Sequence, residues 1–306
     1  EAIPDARMQH PFIRVLSAGE REALLEISID ILRHSTKPLS LRTTIRGEHF
    51  ALELDRDVSR QRETFRVRIP DPELWWPNGS GRQPMYTAFF SLRSDDHELH
   101  RLEVPFAIRT VRLLQKRDLE GKTFILEVNG VKTFCKGADW IPCDTFLPRI
   151  SDTTYVKLLT AARDAHMNMV RVWGGGIYER DIFYELCDRL GLMVWQDFMY
   201  ACGEYPEEPW FLNQAREEAE SVVKRLRNHP SIVLWCGNNE CEWSFCTEHP
   251  GKGPDDMRGA GIFRDILPRV CRDLDGSRPY WRSSPFGSGF PNAESNGTHH
   301  QWSVWS

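Results

Sequence analysis

Pro230-Ser231-Ile232-Val233-Leu234-Trp235-Cys236-Gly237-Asn238-Asn239-Glu240 is an apolar run that stops at two side-chain amides and a carboxylate. Ile232-Val233-Leu234-Trp235 has no polar alternation, which suits a strand covered on both faces, as in a parallel sheet. Polar residues at the C-terminal end of such a strand stand where α/β barrels place their chemistry. There an Asn beside a Glu can take a substrate hydroxyl while the Glu handles a proton. Asn238-Asn239 also reads as a plain turn after the strand, and the surrounding sequence decides between the two.

On either side of this run, strands and helices alternate. Thr133 to Trp140 reads as a strand, and Ser151-Asp152 caps a helix running to about His166. Met169 to Trp173 is a strand, Glu179 to Leu190 a helix closed by Gly191, and Met193 to Phe198 a strand. Asn213 to Arg227 and Ile262 to Leu274 read as helices, with Tyr280 to Ser284 and His300 to Val304 as fifth and sixth strands. The alternation predicts a TIM-type (β/α)8 barrel. Eight units of about 30 residues each, begun near residue 133, would reach roughly residue 380. The chain has 306 residues, so the expectation is an incomplete barrel, about six of eight units, in a central fragment of a longer protein.

Upstream the rhythm is different. Ala23 to Leu32, Leu39 to Ile45, Thr64 to Ile69, Thr87 to Leu92 and Glu103 to Ile108 alternate with period two, punctuated by Pro70-Asp71-Pro72 and Pro77-Asn78-Gly79. Short strands at this spacing predict an immunoglobulin-like β-sandwich, without the Cys…Trp…Cys signature of antibody domains. Phe124 to Phe134 reads as a hairpin around Asn129-Gly130. Trp75-Trp76-Pro77 is expected to pin a loop against the next domain. The expected fold class is therefore multidomain, β followed by α/β. Residues 1–21 read as a linker or the trailing edge of a preceding domain, 22–111 as the sandwich and 112–306 as the truncated barrel.

Composition removes other classes. A formal net charge of −5 gives no reason to expect nucleic acid or an anionic membrane as partner, and no apolar run approaches a membrane span. There is no signal-peptide pattern and the chain starts at Glu1, so its compartment is not legible. The eight Cys form no CxxC pair, and the five-residue spacing of Cys236, Cys241 and Cys246 is not a zinc pattern. Reduced, packed cysteines are expected, with no metal and no cofactor. Asn78-Gly79-Ser80 and Asn296-Gly297-Thr298 match the glycosylation acceptor pattern, which carries no weight without a compartment.

Three expected strand ends carry chemistry. The second ends Arg171-Val172-Trp173-Gly174-Gly175-Gly176, the third Trp195-Gln196-Asp197-Phe198, the fourth Asn239-Glu240. A lone Asp at a strand end is often a loop cap. Asp197, Glu240 and Trp173 at successive ends argue for a cleft instead. The glycine run permits close backbone approach but lacks the GxGxxG spacing of a nucleotide site. Carboxylates facing one bond suit glycoside hydrolysis, and the eleven Trp include candidates for stacking on a sugar ring.

Arg171 to Tyr178, Val194-Trp195-Gln196-Asp197-Phe198-Met199, His229 to Glu240 and Lys136-Gly137-Ala138-Asp139-Trp140-Ile141-Pro142 resemble, in order and spacing, the β-mannosidases of glycoside hydrolase family 2. The resemblance implies a retaining exo-glycosidase acting on a terminal β-mannoside of an oligosaccharide or glycan. Another family 2 sugar specificity, such as β-glucosaminidase, or a non-catalytic sugar-binding or partner fragment, is the alternative. It implies Glu240 as acid/base, kept protonated by partial desolvation, and Asn239 as the amide on the sugar 2-hydroxyl. Trp173 and Asp197 would line the mannose subsite. Gly297-Thr298-His299-His300-Gln301-Trp302 resembles a family segment reading Gly-Asp-x-His-x-Trp, with Thr298 in place of Asp, and implies His300 and Trp302 as pocket residues. The family nucleophile, a Glu ending strand seven, is expected beyond Ser306; Glu204 and Glu242 read as solvated loop charges. A chain without that Glu is expected to be inactive, and an open barrel to self-associate through its unpaired edges.

Overall fold

The computed structural model describes residues 5–34, 36–95, 97–117, 119, 121–287 and 289–304. Seven strands come first: β1 (Ala6–Ala18), β2 (Glu22–Arg33), β3 (Ser40–Arg46), β4 (Ala51–Asp57), β5 (Arg62–Pro70), β6 (Tyr86–Ser94) and β7 (His97–Phe106). They form two antiparallel sheets, β1-β2-β5 and β4-β3-β6-β7. Alternation sets the faces. In β5, Phe65, Val67 and Ile69 point into the core while Arg62, Thr64, Arg66 and Arg68 face solvent. Leu25, Ile27 and Ile29 of β2 meet Leu41, Ile45 and Phe90 from the other sheet, and the result is the expected immunoglobulin-like sandwich.

Residues 6–18, expected as linker, are instead a sandwich strand paired along β2. Their alternation is broken by a register shift between Gln9 and Phe12 and by a positive φ at His10, which hides the strand from a period-two reading. β4 was likewise invisible, because it is an edge strand with largely exposed side chains. β1 also reaches the second domain: Ile13 N–H donates to Asn228 Oδ1, and Arg227 Nη2 to the His10 carbonyl.

A small antiparallel sheet, β8 (Val111–Leu114), β9 (Ile125–Val128) and β10 (Val131–Thr133), joins the domains. Asn129 and Gly130 take φ of 51° and 79°, the two left-handed positions of the expected hairpin turn. Trp75 is fully buried and its Nε1 donates to the Asp188 carbonyl at 2.7 Å, which pins the sandwich to the barrel. The Asn78 amide donates to the carbonyls of Arg163 and Met167, so this acceptor-pattern Asn is a packing residue.

Then follow β11 (Gly137–Trp140), α1 (Asp152–Asp164), β12 (Met169–Val172), α2 (Asp181–Leu190), β13 (Met193–Asp197), α3 (Pro209–Leu226), β14 (Ile232–Cys236), α4 (Cys241–Glu248), α5 (Leu267–Leu274) and β15 (Tyr280–Trp281). The five strands pair in chain order, all parallel. This is the partial TIM barrel. All five residues of β14 are buried, as its unbroken apolar run requires. Thr133 to Trp140, expected as one strand, is split between β10 and β11, and a Cβ on Gly137 would lie 1.8 Å from the Met169 carbonyl oxygen.

His300 to Val304 is not a sixth strand. Asn292 takes both backbone groups of His300, through Nδ2 to its carbonyl and Oδ1 from its N–H, so a ladder cannot begin there. The segment folds over the ends of the parallel strands instead. The sheet therefore has five described strands rather than six. All eight cysteines are free and four of them are buried.

Candidate active site

The C-terminal ends of β12, β13 and β14 converge through one guanidinium. Arg171 donates from Nη2 to Asp197 Oδ2 at 2.8 Å and to Asn239 Oδ1 at 2.9 Å, and from Nε to Asp197 Oδ1 at 3.3 Å. It also lies 5.6 Å from the Trp195 ring. Arg171 thus orients the amide next to Glu240. Sequence alone assigns Arg171 no role, because an inward-facing Arg and a solvent-facing one look alike there.

Asp197 was expected to line the pocket. Its side chain is fully buried, and besides Arg171 it accepts from Gly174 N–H at 3.0 Å and Trp195 Nε1 at 2.8 Å. Burial pushes its carboxyl up, and Arg171 opposes that. Asp197 therefore anchors the cleft from beneath. The glycine run follows from the same packing, since Gly174, Gly175 and Gly176 all avoid positive φ. A Cβ on Gly174 would lie 2.6 Å from the Tyr200 carbonyl, and one on Gly175 2.0 Å from the Trp173 indole. Gly175 lets the half-buried Trp173 ring lie across the backbone.

Asn239 is held on both sides, with its N–H on the Tyr200 carbonyl and its carbonyl taking Cys202 N–H. Among the described residues its Nδ2 meets only the Cys202 thiol, at 3.5 Å. A thiol is a weak acceptor, and a sugar hydroxyl can replace it. Asn238 is structural: Oδ1 accepts from Cys241 N–H and Ser283 Oγ.

Glu240 stands at the N-terminal boundary of α4 with φ 61°, ψ 4°, and its side chain makes no capping bond to the helix. Oε1 lies 2.6 Å from His300 Nδ1 and 3.4 Å from Trp302 Nε1, and Oε2 lies 3.7 Å from Cys202 Sγ. His300 Nε2 is 2.8 Å from Ser284 Oγ, so the ring is fixed at both nitrogens. The structure thus brings Glu240, Asn239, His300 and Trp302 together. Burial alone would push the Glu240 carboxyl up, but the His300 hydrogen bond and charge, with donors from Trp302 and Cys202, hold it below its ordinary value. The expectation that partial desolvation keeps Glu240 protonated is corrected accordingly.

Thr298 supplies an acceptor where the resembling segment has Asp: its Oγ1 takes Phe286 N–H at 3.0 Å and Trp281 Nε1 at 3.2 Å. Glu204 accepts from Arg258 N–H and is solvent-facing. Glu242 is not a loop charge; it is fully buried and paired with Arg282 at 2.5 Å. Beside the strand ends opens a cavity of about 820 Å³, bordered by Arg171, Trp195, Ser284, His300 and Trp302. Trp302 is 58% exposed, an aromatic face offered to whatever enters.

Comparisons with known proteins agree with this architecture. Residues 6–109 match Glycosyl hydrolases family 2, and residues 177–284 match Glycosyl hydrolases family 2, TIM barrel domain. Beta-mannosidase B of Emericella nidulans is 40% identical over 89% of this chain and 33% of its own length. Beta-mannosidase B of Thermothelomyces thermophilus is 37% identical over 100% and 36%. The chain spans about a third of the length of these curated relatives. The crystal structure of beta-D-mannosidase from Dictyoglomus thermophilum superimposes with TM-score 0.92 at 44% identity, covering 98% of this chain and 38% of that one. With both family domains matched in order on the sandwich and the barrel, the chain belongs to glycoside hydrolase family 2.

Proposed function

We propose that this chain carries the acid/base side of a retaining exo-glycosidase site that removes terminal β-D-mannose from the non-reducing end of an oligosaccharide or glycan. The observation that carries the reading is Glu240 at the mouth of the parallel strands, gripped by His300 and Trp302 beside an amide clamped by Arg171. The relatives named as mannosidases support the choice of sugar.

In this reading the 2.6 Å contact between Glu240 and His300 holds one proton between Oε1 and Nδ1. That proton is the one delivered: it passes from Nδ1 onto Oε1 and from Oε1 to the leaving-group oxygen as the glycosidic bond breaks, while Oε2 stays against the Cys202 thiol. Asn239 Nδ2 exchanges the thiol for the sugar 2-hydroxyl, and Trp173 and Trp302 stack on the sugar. A retaining mechanism needs a second carboxylate about 5 Å from the first. Asp197, Glu204 and Glu242 are each committed to other partners. As the family resemblance implies, the attacking carboxylate is assigned to a Glu of the complete protein beyond Ser306. The 306-residue chain by itself is then expected to be slower by orders of magnitude.

The test compares phenyl β-D-mannoside, whose weakly acidic phenol needs the proton, with the matching phenyl β-D-glucosaminide in the complete protein and in Glu240→Gln. Preference for the mannoside, with kcat/KM lowered roughly 100- to 10,000-fold by Glu240→Gln, is expected. Preference for the glucosaminide would overturn the sugar, and undiminished turnover in Glu240→Gln would overturn the role.

A further inference from the structure

At the other end of the parallel strands, where β1 and the loop leading to β8 meet the barrel, lies a second cavity of about 260 Å³. Five arginines border it, Arg14, Arg109, Arg112, Arg227 and Arg278, and among the described residues that border it none is acidic. They come from both domains: Arg14 from β1, Arg109 and Arg112 from the junction, Arg227 and Arg278 from barrel loops.

The buried guanidiniums are hydrogen-bonded but poorly neutralised. Arg109 donates from Nε to the Pro230 carbonyl at 2.9 Å and from Nη2 to the Ile232 carbonyl at 2.6 Å. Arg227 donates to the carbonyls of Leu274 and His10, and its buried Nε has no partner among the described residues. Arg278 has Asp275 at 3.0 Å, and Arg112 has Glu127 at 3.5 Å. Among the described residues Arg109 and Arg227 have no carboxylate within ion-pair distance. Carbonyls satisfy N–H groups, yet they leave net charge in a low-dielectric place, which is costly. Burial, with Arg278 adding to it and Asp275 and Asp188 opposing it, pushes Arg109 down to about 9; burial, with Arg62 adding to it and Asp275 and Asp30 opposing it, pushes Arg227 down to about 10.

We propose that this cavity binds a small free oxyanion of the phosphate or sulfate class, held between the sandwich and the barrel. The cavity is small, its border is wholly cationic or neutral, and guanidinium forks match tetrahedral oxyanions. The bound ion would supply the missing counter-charge and tie β1 to the barrel loops. It stands at the end of the sheet opposite Glu240, so the proposal does not rest on the glycosidase reading.

The test is calorimetric titration of the complete protein with inorganic phosphate, inorganic sulfate and a sugar phosphate at constant ionic strength. It is repeated on the Arg14→Gln/Arg112→Gln variant, which leaves the buried arginines and Glu240 in place. One saturable phosphate per chain, displaced by sulfate and weakened at least tenfold in the variant, is expected. No saturable binding in the millimolar range would overturn the proposal, as would equal binding by the variant. Binding of the sugar phosphate with none of the free ion would overturn the assignment to a free ion. Thermal unfolding in phosphate against chloride is the second readout. A rise shared equally by the variant would be the general exclusion effect of such salts and would count against a site.

Discussion

Glu240 holds φ 61° and Cys202, which touches it, φ 51°. Non-glycine residues take this left-handed backbone at a cost, and such strain concentrates where side chains must be aimed. Glu240 and Asn239 were legible because they end an apolar strand. Arg171 was not, since only the fold shows that it joins three strand ends. The charge state of Glu240 was not legible either, because the histidine that sets it lies sixty residues later. Two predictions follow from these contacts. In His300→Asn the hydrogen bond and charge that lower Glu240 are lost and burial prevails, so its pKa rises. If Glu240 acts protonated, the alkaline limb of kcat/KM against pH moves to higher pH. In Arg171→Met the buried Asp197 charge loses its partner, and denaturant titration should show a loss of about 3–5 kcal/mol.

Elements with clean periodicity were read correctly from sequence, and those with broken periodicity were not. β2, β5 and β14 show their faces in plain alternation or plain apolarity. β1 conceals itself behind a bulge, and residues 300–304 imitate a strand while Asn292 occupies the backbone groups of His300. The glycine run was recognised, but its reason is contact rather than turn geometry. Gly175→Ala places a methyl against the Trp173 indole, so the ring must move. The expected outcome is a raised KM for mannoside with a thermal midpoint close to that of the parent. Trp75→Phe removes the buried bond to the Asp188 carbonyl and leaves a void. It should cost about 2 kcal/mol or more, read by chemical denaturation.

At the scale of the molecule, the sandwich-then-barrel order was legible from the change of rhythm near residue 124. The way the domains lock together was not: Trp75, β1 and the arginine cluster act through contacts more than a hundred residues apart in sequence. Buried charge also shapes the stability of the whole. Burial, opposed by Arg282, pushes the Glu242 carboxyl from 4.5 up to about 7. A carboxyl raised on folding contributes stability that is full below the unfolded value and is lost as pH rises through the folded one. That amounts to about 3 kcal/mol lost between roughly pH 4.5 and 7. Glu242→Gln should flatten this decline in a series of unfolding curves across that range, since Arg282 keeps Asp255 as a partner.

The central claim is that Glu240 gives the proton to the leaving group. Its most direct test measures Glu240→Gln of the complete protein on two aryl β-mannosides, one with an acidic phenol that needs no proton and one with a weakly acidic phenol that does. A small loss on the first and a loss of roughly 100-fold or more on the second are expected. Equal losses on both, or none on either, would contradict the claim.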